Sequence, residues 1–317
     1  MALFNYNTFI PTTYDINDVN NWKKSLTEEG YAVIRNILSE DERNNFFNLF
    51  KKDIKTVSNN INWEDSNTWH RDNLPIENGT GMAVSNGLSH ADFMWYLRTN
   101  KGIKGIFEEI HQTNDLVASF DGFSLITNHK QKPGLSPHID INPYIPLIDT
   151  LSIQGSYNYF SVDDYSAGFI VAPKSNNTWM PSEYYKNSPT SYVMVEEDDL
   201  IMDEVVKLLI PANCFTLWDS YTVHGSTGMS ITTDNNSLNR LTAYITYFPK
   251  YLRSDKIRRR RIAGYYLSEC CGHYAIRHDV KRMNSGYVTR HLANEYNLYK
   301  TTILEDSSVP PDRLELI

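Results

Sequence analysis

Cysteine is scarce in this chain of 317 residues, with three in all: Cys214, Cys270 and Cys271. They cannot all pair with one another, and adjacent Cys270 and Cys271 make a poor disulfide framework, so the expected setting is reducing, intracellular and cytoplasmic. No Cys-x-x-Cys occurs, and the Cys270-Cys271/His273 group lacks a fourth ligand at a familiar zinc interval, so it reads as a helix face in the C-terminal region. No window approaches the roughly 18 apolar residues of a membrane span, and residues 1–7 lack a basic segment followed by an apolar run. Positive charge is not in excess: 30 Lys and Arg against 38 Asp and Glu leave −8, which disfavours generic polyanion binding without excluding a local basic patch. A Ser-, Gly- or Pro-rich linker is missing too. The expectation is therefore a single domain over 1–317, with helical support and a covering loop in 1–113, a β core in 114–250, and a helical region and tail in 251–317.

What is present follows helix, then strand, periodicity. Residues 22–29 predict a helix stopped by Gly30, and Tyr31, Val33 and Arg35 alternate with Ala32 and Ile34 as a strand should. Ser39 and Glu42 form a capping box opening a helix that carries Phe46, Phe47, Leu49, Phe50 and Ile54. Residues 58–89 are polar and rich in Asn and Gly, a long loop in which Trp63 and Trp69 imply packing against something. A helix is expected over 101–112. Strands are expected at 116–120 and Phe123–Thr127, with Asp121-Gly122 as a hairpin turn between them. Further strands are expected at 150–160, 168–172, 207–210, Cys214–Asp219 and 238–248. The turn signals between them, such as Pro173-Lys174-Ser175 and Pro211-Ala212-Asn213, have the spacing of a jelly-roll or barrel. Residues 250–261 hold a basic run, Lys256 and Arg258 to Arg261, which reads as a solvated face or a phosphate contact. Residues 307–317, with Pro310-Pro311, read as a tail.

Three His-x-Asp triplets occur. Nine His and 38 acidic residues among 317 positions predict about one His-x-acid by chance, so the surroundings must choose. His70-Arg71-Asp72 imitates a kinase catalytic loop, but the required Asn five places on is Glu77, and no glycine-rich loop or Asp-Phe-Gly accompanies it. His90-Ala91-Asp92 lies in a helical stretch, where residues two apart point about 200° away from each other. His138-Ile139-Asp140 sits between Pro133-Gly134 and Asn142-Pro143, in a loop or short extended segment, and in extended chain residues two apart share a face. With His224 as the third ligand, two imidazoles and one carboxylate leave adjacent positions open on an octahedral ion, the arrangement of a non-haem Fe(II) oxygenase. On the last strand, Arg240, Thr242, Tyr244 and Thr246 share a polar face. The fork of Arg240 suits the carboxylate of a co-substrate, and a 2-oxoglutarate-dependent oxygenase is the working reading. Trp218 and Gln154 are candidate pocket residues.

Gly30-Tyr31-Ala32-Val33-Ile34-Arg35, the helix after Leu38-Ser39, His138-Ile139-Asp140, Gln154-Gly155, Trp218-Asp219-Ser220, His224-Gly225-Ser226 and Arg240 together resemble the phytanoyl-CoA dioxygenase-like family of Fe(II)/2-oxoglutarate oxygenases. That resemblance spans most of the chain. It implies a mainly β fold, a double-stranded β-helix (jelly-roll, cupin-like) core with N-terminal and C-terminal helices. It also implies iron on His138, Asp140 and His224, and the distal carboxylate of 2-oxoglutarate on Arg240 and Ser226. The chain departs from the family in reading Ala167-Gly168 and Pro173-Lys174-Ser175-Asn176 where Gly-Gly and Pro-Gly-Ser-His are common. It also has a longer interval from His224 to Arg240, filled by the polar residues 229–236. Related halogenases replace the metal-binding carboxylate by a small residue; Asp140 is present, so oxygenation is implied.

The expected activity uses Fe(II), 2-oxoglutarate and O2 to hydroxylate a C–H bond of a small molecule, releasing succinate and CO2. Its substrate would be chosen by residues 58–89, 129–134 and the C-terminal region. The alternatives are the same chemistry on nucleic acid or protein gripped by residues 256–261, a metalloenzyme without 2-oxoglutarate, and a non-catalytic β-barrel binding protein. Oligomeric state is not legible.

Overall fold

The structure is a computed structural model that describes residues 6–58, 60–69, 73–75, 81–84, 87–127, 134–145, 151–188, 190–229, 238–277 and 309–317. The chain forms two compact units, residues 1–36 with 131–233, and residues 37–130 with 234–317. It begins in the first with β1 (Asn7–Phe9), β2 (Thr13–Tyr14), α1 (Val19–Glu28) and β3 (Tyr31–Ile34). α1 buries Trp22 and Leu26, four apart on one face. Gly30 ends it at a φ of +79°, and an added Cβ there would meet Thr222 Oγ1 at 2.4 Å, so both the turn and the close approach require glycine.

The second unit then takes α2 (Glu40–Val57), β4 (Met82–Ala83), α3 (Asp92–Arg98), α4 (Lys101–His111), β5 (Leu116–Ala118) and β6 (Phe123–Thr127). The capping box expected at α2 is complete in both directions. Phe46 and Phe50 of α2, Phe93 of α3 and Phe123 of β6 meet edge to face, with centroids 5.0–6.2 Å apart, the arrangement that aromatic quadrupoles favour. The long loop does pack, as its tryptophans implied: the Trp63 indole donates to Lys51 O at 2.9 Å, and Trp63 lies 5.9 Å from Trp69.

Back in the first unit come β7 (Gly134–Ile139), β8 (Ile153–Asn158), β9 (Phe169–Val171), α5 (Ser175–Thr178), β10 (Val193–Met194), β11 (Val206–Leu208), β12 (Cys214–Asp219) and β13 (His224–Thr227). One sheet runs β1-β11-β9-β13-β7-β10, and a second run of strands is β2-β3-β12-β8. Successive strands therefore change sheet, β7 to β8 to β9 and β11 to β12 to β13, which is the wiring of a jelly-roll. The mainly β, double-stranded β-helix expectation is met. The chain closes in the second unit with β14 (Leu238–Tyr244), β15 (Tyr247–Pro249), α6 (Asp255–Tyr266) and α7 (Pro311–Glu315). No described helix is long and apolar enough to cross a membrane.

Four local expectations are corrected. Asp121-Gly122 is no hairpin turn, because β5 pairs with β15 while β6 pairs with β14 and β4. Gly122 is instead required by close approach, since a Cβ would lie 2.6 Å from Ala83 O. Residues 238–248 are not one strand; β14 ends at Tyr244 and β15 joins another sheet. Cys270, Cys271 and His273 lie outside the helices; Cys271 Sγ accepts from Phe120 N at 3.1 Å, and Gly272 bridges Phe120. The described end of the tail is helical and anchored: Leu316 O accepts from Ala118 N, and Ile317 O from Arg261 Nε. That last bond also splits the basic run, because Arg261 is fully buried and Arg260 pairs with Glu269 at 2.7 Å, while Lys256, Arg258 and Arg259 stay exposed.

α3 lacks a cap of its own, because its N-cap residue is Ala91. Asp53 of α2 supplies one from outside the helix, accepting from Phe93 N at 2.9 Å. Burial, chiefly, and the nearby Asp92 carboxylate push the Asp53 carboxyl up to about 6 from 3.8. A folded-state value above the unfolded one means that the native state binds this proton more tightly. Stability from this group is thus present at low pH and lost as pH rises from about 4 through about 6. Asp53→Asn keeps an oxygen for Phe93 N–H and removes the titration. Thermal unfolding across that window should flatten in the variant relative to the parent; parallel curves would assign the pH dependence elsewhere.

Candidate metal centre

The centre is built where β7 and β13 pair antiparallel with His138 directly opposite His224. A bulge follows between His224 and Ser226, and Gly225 is what lets the strands close: a Cβ there would sit 2.4 Å from Leu135 O. The two imidazole centroids lie 4.5 Å apart. Asp140 follows at the end of β7, its backbone N–H fixed by Ser220 O at 3.0 Å. His138 Nε2 is 3.4 Å from Asp140 Oδ1, and His224 Nε2 is 3.2 Å from Asp140 Oδ2. Among the described residues these three form a group whose ligand atoms all lie within 4.8 Å of one another.

Each imidazole is held by its other nitrogen. His138 Nδ1 lies 2.9 Å from Ser136 O, and His224 Nδ1 lies 2.8 Å from Thr222 O. A carbonyl can only accept, so Nδ1 carries the hydrogen and the Nε2 lone pair faces the cluster. Burial alone would lower the His138 pKa, but the Asp140 charge and hydrogen bond, with Ser136 O, outweigh it and raise it. The same carboxylate that favours a proton on this buried nitrogen would favour a cation in its place. Two neutral imidazoles and a carboxylate, clamped this way, fit a divalent iron with open positions.

Gln154 on β8 holds the carboxylate from the far side, its Nε2 donating to Asp140 Oδ2 at 2.5 Å and to Ser220 Oγ at 3.1 Å; Ser220 Oγ meets Ser152 Oγ at 2.9 Å. In the strand register Gln154 pairs with Trp218 of β12, and Ser156 with Thr216, so one sheet face presents buried polar groups. The Trp218 ring lies tilted against His224 at 5.4 Å and against Phe169 at 5.1 Å. Ser226, two residues past His224, accepts from Leu135 N at 3.1 Å and keeps its own O–H to donate.

The first unit therefore gathers His138, Asp140, His224, Gln154, Trp218 and Ser226. Sequence reading missed the part played by Ser152 and Ser220; the alternation Ser152, Gln154 on one strand face was the available signal. Of the other His-x-Asp triplets, His70-Arg71-Asp72 lies outside the described residues. His90 Nε2 meets Glu269 O while Asp92 pairs with Arg313, so that pair does not chelate.

In the second unit, Arg240 lies on β14, 6% exposed. The expected face holds as far as Tyr244, with Thr246 past the end of β14: Arg240 Nε donates to Thr242 Oγ1 and its Nη2 to Tyr244 Oη, both at 3.2 Å. Among the described residues no carboxylate lies within 4.0 Å of this guanidinium, so a buried cation is held by hydroxyls alone. Such a group is suited to an anionic ligand.

No family model matches the chain. It is 23% identical over 252 residues to "Ava biosynthesis cluster protein O" of Aspergillus versicolor, covering 74% of this chain and 79% of that protein. It is 22% identical over 268 residues to a Dictyostelium discoideum protein named "Putative phytanoyl-CoA dioxygenase", covering 69% and 72%. Among solved structures, the epimerase SnoN, crystallised with Fe3+, alpha-ketoglutarate and nogalamycin RO, matches with a TM-score of 0.52 at 15% identity, over 74% of this chain and 84% of that one. GlcNAc Inducible Gene 2 from Candida albicans matches at 0.59 and 10% identity, over 97% and 79%. The fold is that of the iron- and 2-oxoglutarate-dependent oxygenases, and the resemblance to the phytanoyl-CoA dioxygenase-like family is borne out.

Two outcomes test the centre itself. Gln154→Leu leaves Asp140 without its outer donor and should weaken Co(II) or Fe(II) binding about 10- to 100-fold; unchanged affinity by anaerobic titration would remove Gln154 from the centre. Because the raised His138 proton competes with the metal, affinity should climb as pH rises through that pKa, with proton release on binding. A pH-independent binding constant by calorimetry would contradict this.

Proposed function

We propose that the protein is an Fe(II)- and 2-oxoglutarate-dependent dioxygenase that hydroxylates a C–H bond of a small-molecule substrate, with release of succinate and CO2. The observation that carries this reading is the pair of carbonyl-clamped imidazoles whose Nε2 atoms converge on Asp140. His138, Asp140 and His224 would hold the iron, which supplies oxygen activation when bound. Arg240 and Ser226 would bind the distal carboxylate of 2-oxoglutarate, the first by charge and the second by its O–H. Gln154 would hold Asp140 in place, and Trp218 would wall the pocket beside His224. Small-molecule substrates are consistent with SnoN, crystallised with nogalamycin RO. A polymer gripped by the basic run is less well supported, since Arg261 is consumed by buried contacts and Arg260 by Glu269.

The test is an anaerobic Fe(II) and 2-oxoglutarate titration followed by visible absorption, with succinate measured once oxygen is admitted. A charge-transfer band and succinate are expected for the parent protein and should disappear in His224→Ala. Arg240→Ala should keep the metal but weaken 2-oxoglutarate by about two orders of magnitude. Well-folded parent protein with neither band nor succinate would sink the reading. Product mass then separates outcomes, because hydroxylation adds one oxygen and an epimerisation leaves the mass unchanged.

A further inference from the structure

Among the described residues of the first unit, two buried side-chain atoms lack a hydrogen-bond partner, Asn176 Oδ1 and Trp218 Nε1, and only the second is a donor. Trp218 is 3% exposed, so bulk solvent does not reach its ring. An indole N–H is donor only, and a buried donor without an acceptor is rarely tolerated in a native fold. Its position explains what it awaits. Trp218 shares a sheet face and a register position with Gln154, which reaches Asp140 at 2.5 Å, and its own ring lies against His224 at 5.4 Å and Phe169 at 5.1 Å. Among its polar neighbours, Gln154 Nε2 donates to Asp140 and Ser220, and Ser220 Oγ meets Ser152 Oγ. Asp140 faces the two Nε2 atoms.

We propose that Trp218 Nε1–H is a positioning donor for an anionic oxygen bound beside His224, namely the metal-bound carboxylate of 2-oxoglutarate. This inference rests on the dioxygenase reading above. A carboxylate is the acceptor that best repays a desolvated N–H, because charge-assisted hydrogen bonds are the stronger ones. Trp218 would hold that carboxylate by its N–H, a task distinct from the distal grip of Arg240.

The test replaces Trp218 by benzothienylalanine, which exchanges N–H for sulfur at constant shape, alongside Trp218→Phe. Anaerobic titrations read Co(II) affinity and, with Fe(II) loaded, 2-oxoglutarate affinity; circular dichroism melts check folding. Both variants should bind metal as the parent does and bind 2-oxoglutarate about 10- to 100-fold more weakly, the loss expected for one hydrogen bond to a charged group. Unaltered 2-oxoglutarate affinity in the isosteric variant overturns the inference alone, even if Trp218→Phe is impaired, since shape would then be the cause. Failure of the metal-loaded parent to bind 2-oxoglutarate overturns the dioxygenase reading and this inference with it.

Discussion

The close approach of β7 and β13 is the constraint on which the metal centre depends. His138 and His224 are opposite each other only in one register, and that register is possible because Gly225 has no Cβ to strike Leu135 O. Two backbone carbonyls, Ser136 O and Thr222 O, then hold the imidazoles by Nδ1. Both clamps come from the residue two positions before the histidine, so each strand orients its own ligand. Ligand geometry is thereby tied to strand geometry and costs little side-chain freedom when an ion arrives.

Around that pairing the fold buries a polar network. Asp140, Gln154, Ser220 and Ser152 connect two sheets of the jelly-roll, and the low dielectric there rewards each satisfied group and penalises each unsatisfied one. The carboxylate answers two imidazole nitrogens and one amide. Trp218 is the member of this neighbourhood whose donor has no partner among the described residues.

The second unit shows three buried arginines used in two ways. Arg98 donates to Ser89 O and Asp121 O, and Arg261 to Ala118 O and Ile317 O. Carbonyls accept without needing anything in return, so these two tie helices to strands, with Arg98 Nε alone of these groups lacking a partner among the described residues. Arg240 instead donates to the hydroxyl oxygens of Thr242 and Tyr244, and among the described residues no carboxylate lies within 4.0 Å of it.

The capping box at Ser39 and Glu42, the stop at Gly30 and the choice among three His-x-Asp triplets were legible in the residues, because each depends on neighbours within a few positions. The extended setting of His138 and Asp140 and the polar face of Arg240 follow from the two-residue period alone. Partner strands did not follow: Asp121-Gly122 looks like a hairpin turn locally, and only pairing with distant Tyr247–Pro249 and Leu238–Tyr244 removes it. The burial of Arg261 out of a run of exposed cations, and the anchoring of Leu316 and Ile317, likewise needed long-range contacts. So did the hold of Gln154 on Asp140 and the unanswered N–H of Trp218. Sequence by itself determined the ligand types and local spacing of the candidate residues, since these are covalent facts; tertiary structure alone decided which groups satisfy one another, since hydrogen-bond partners are set by folding in space.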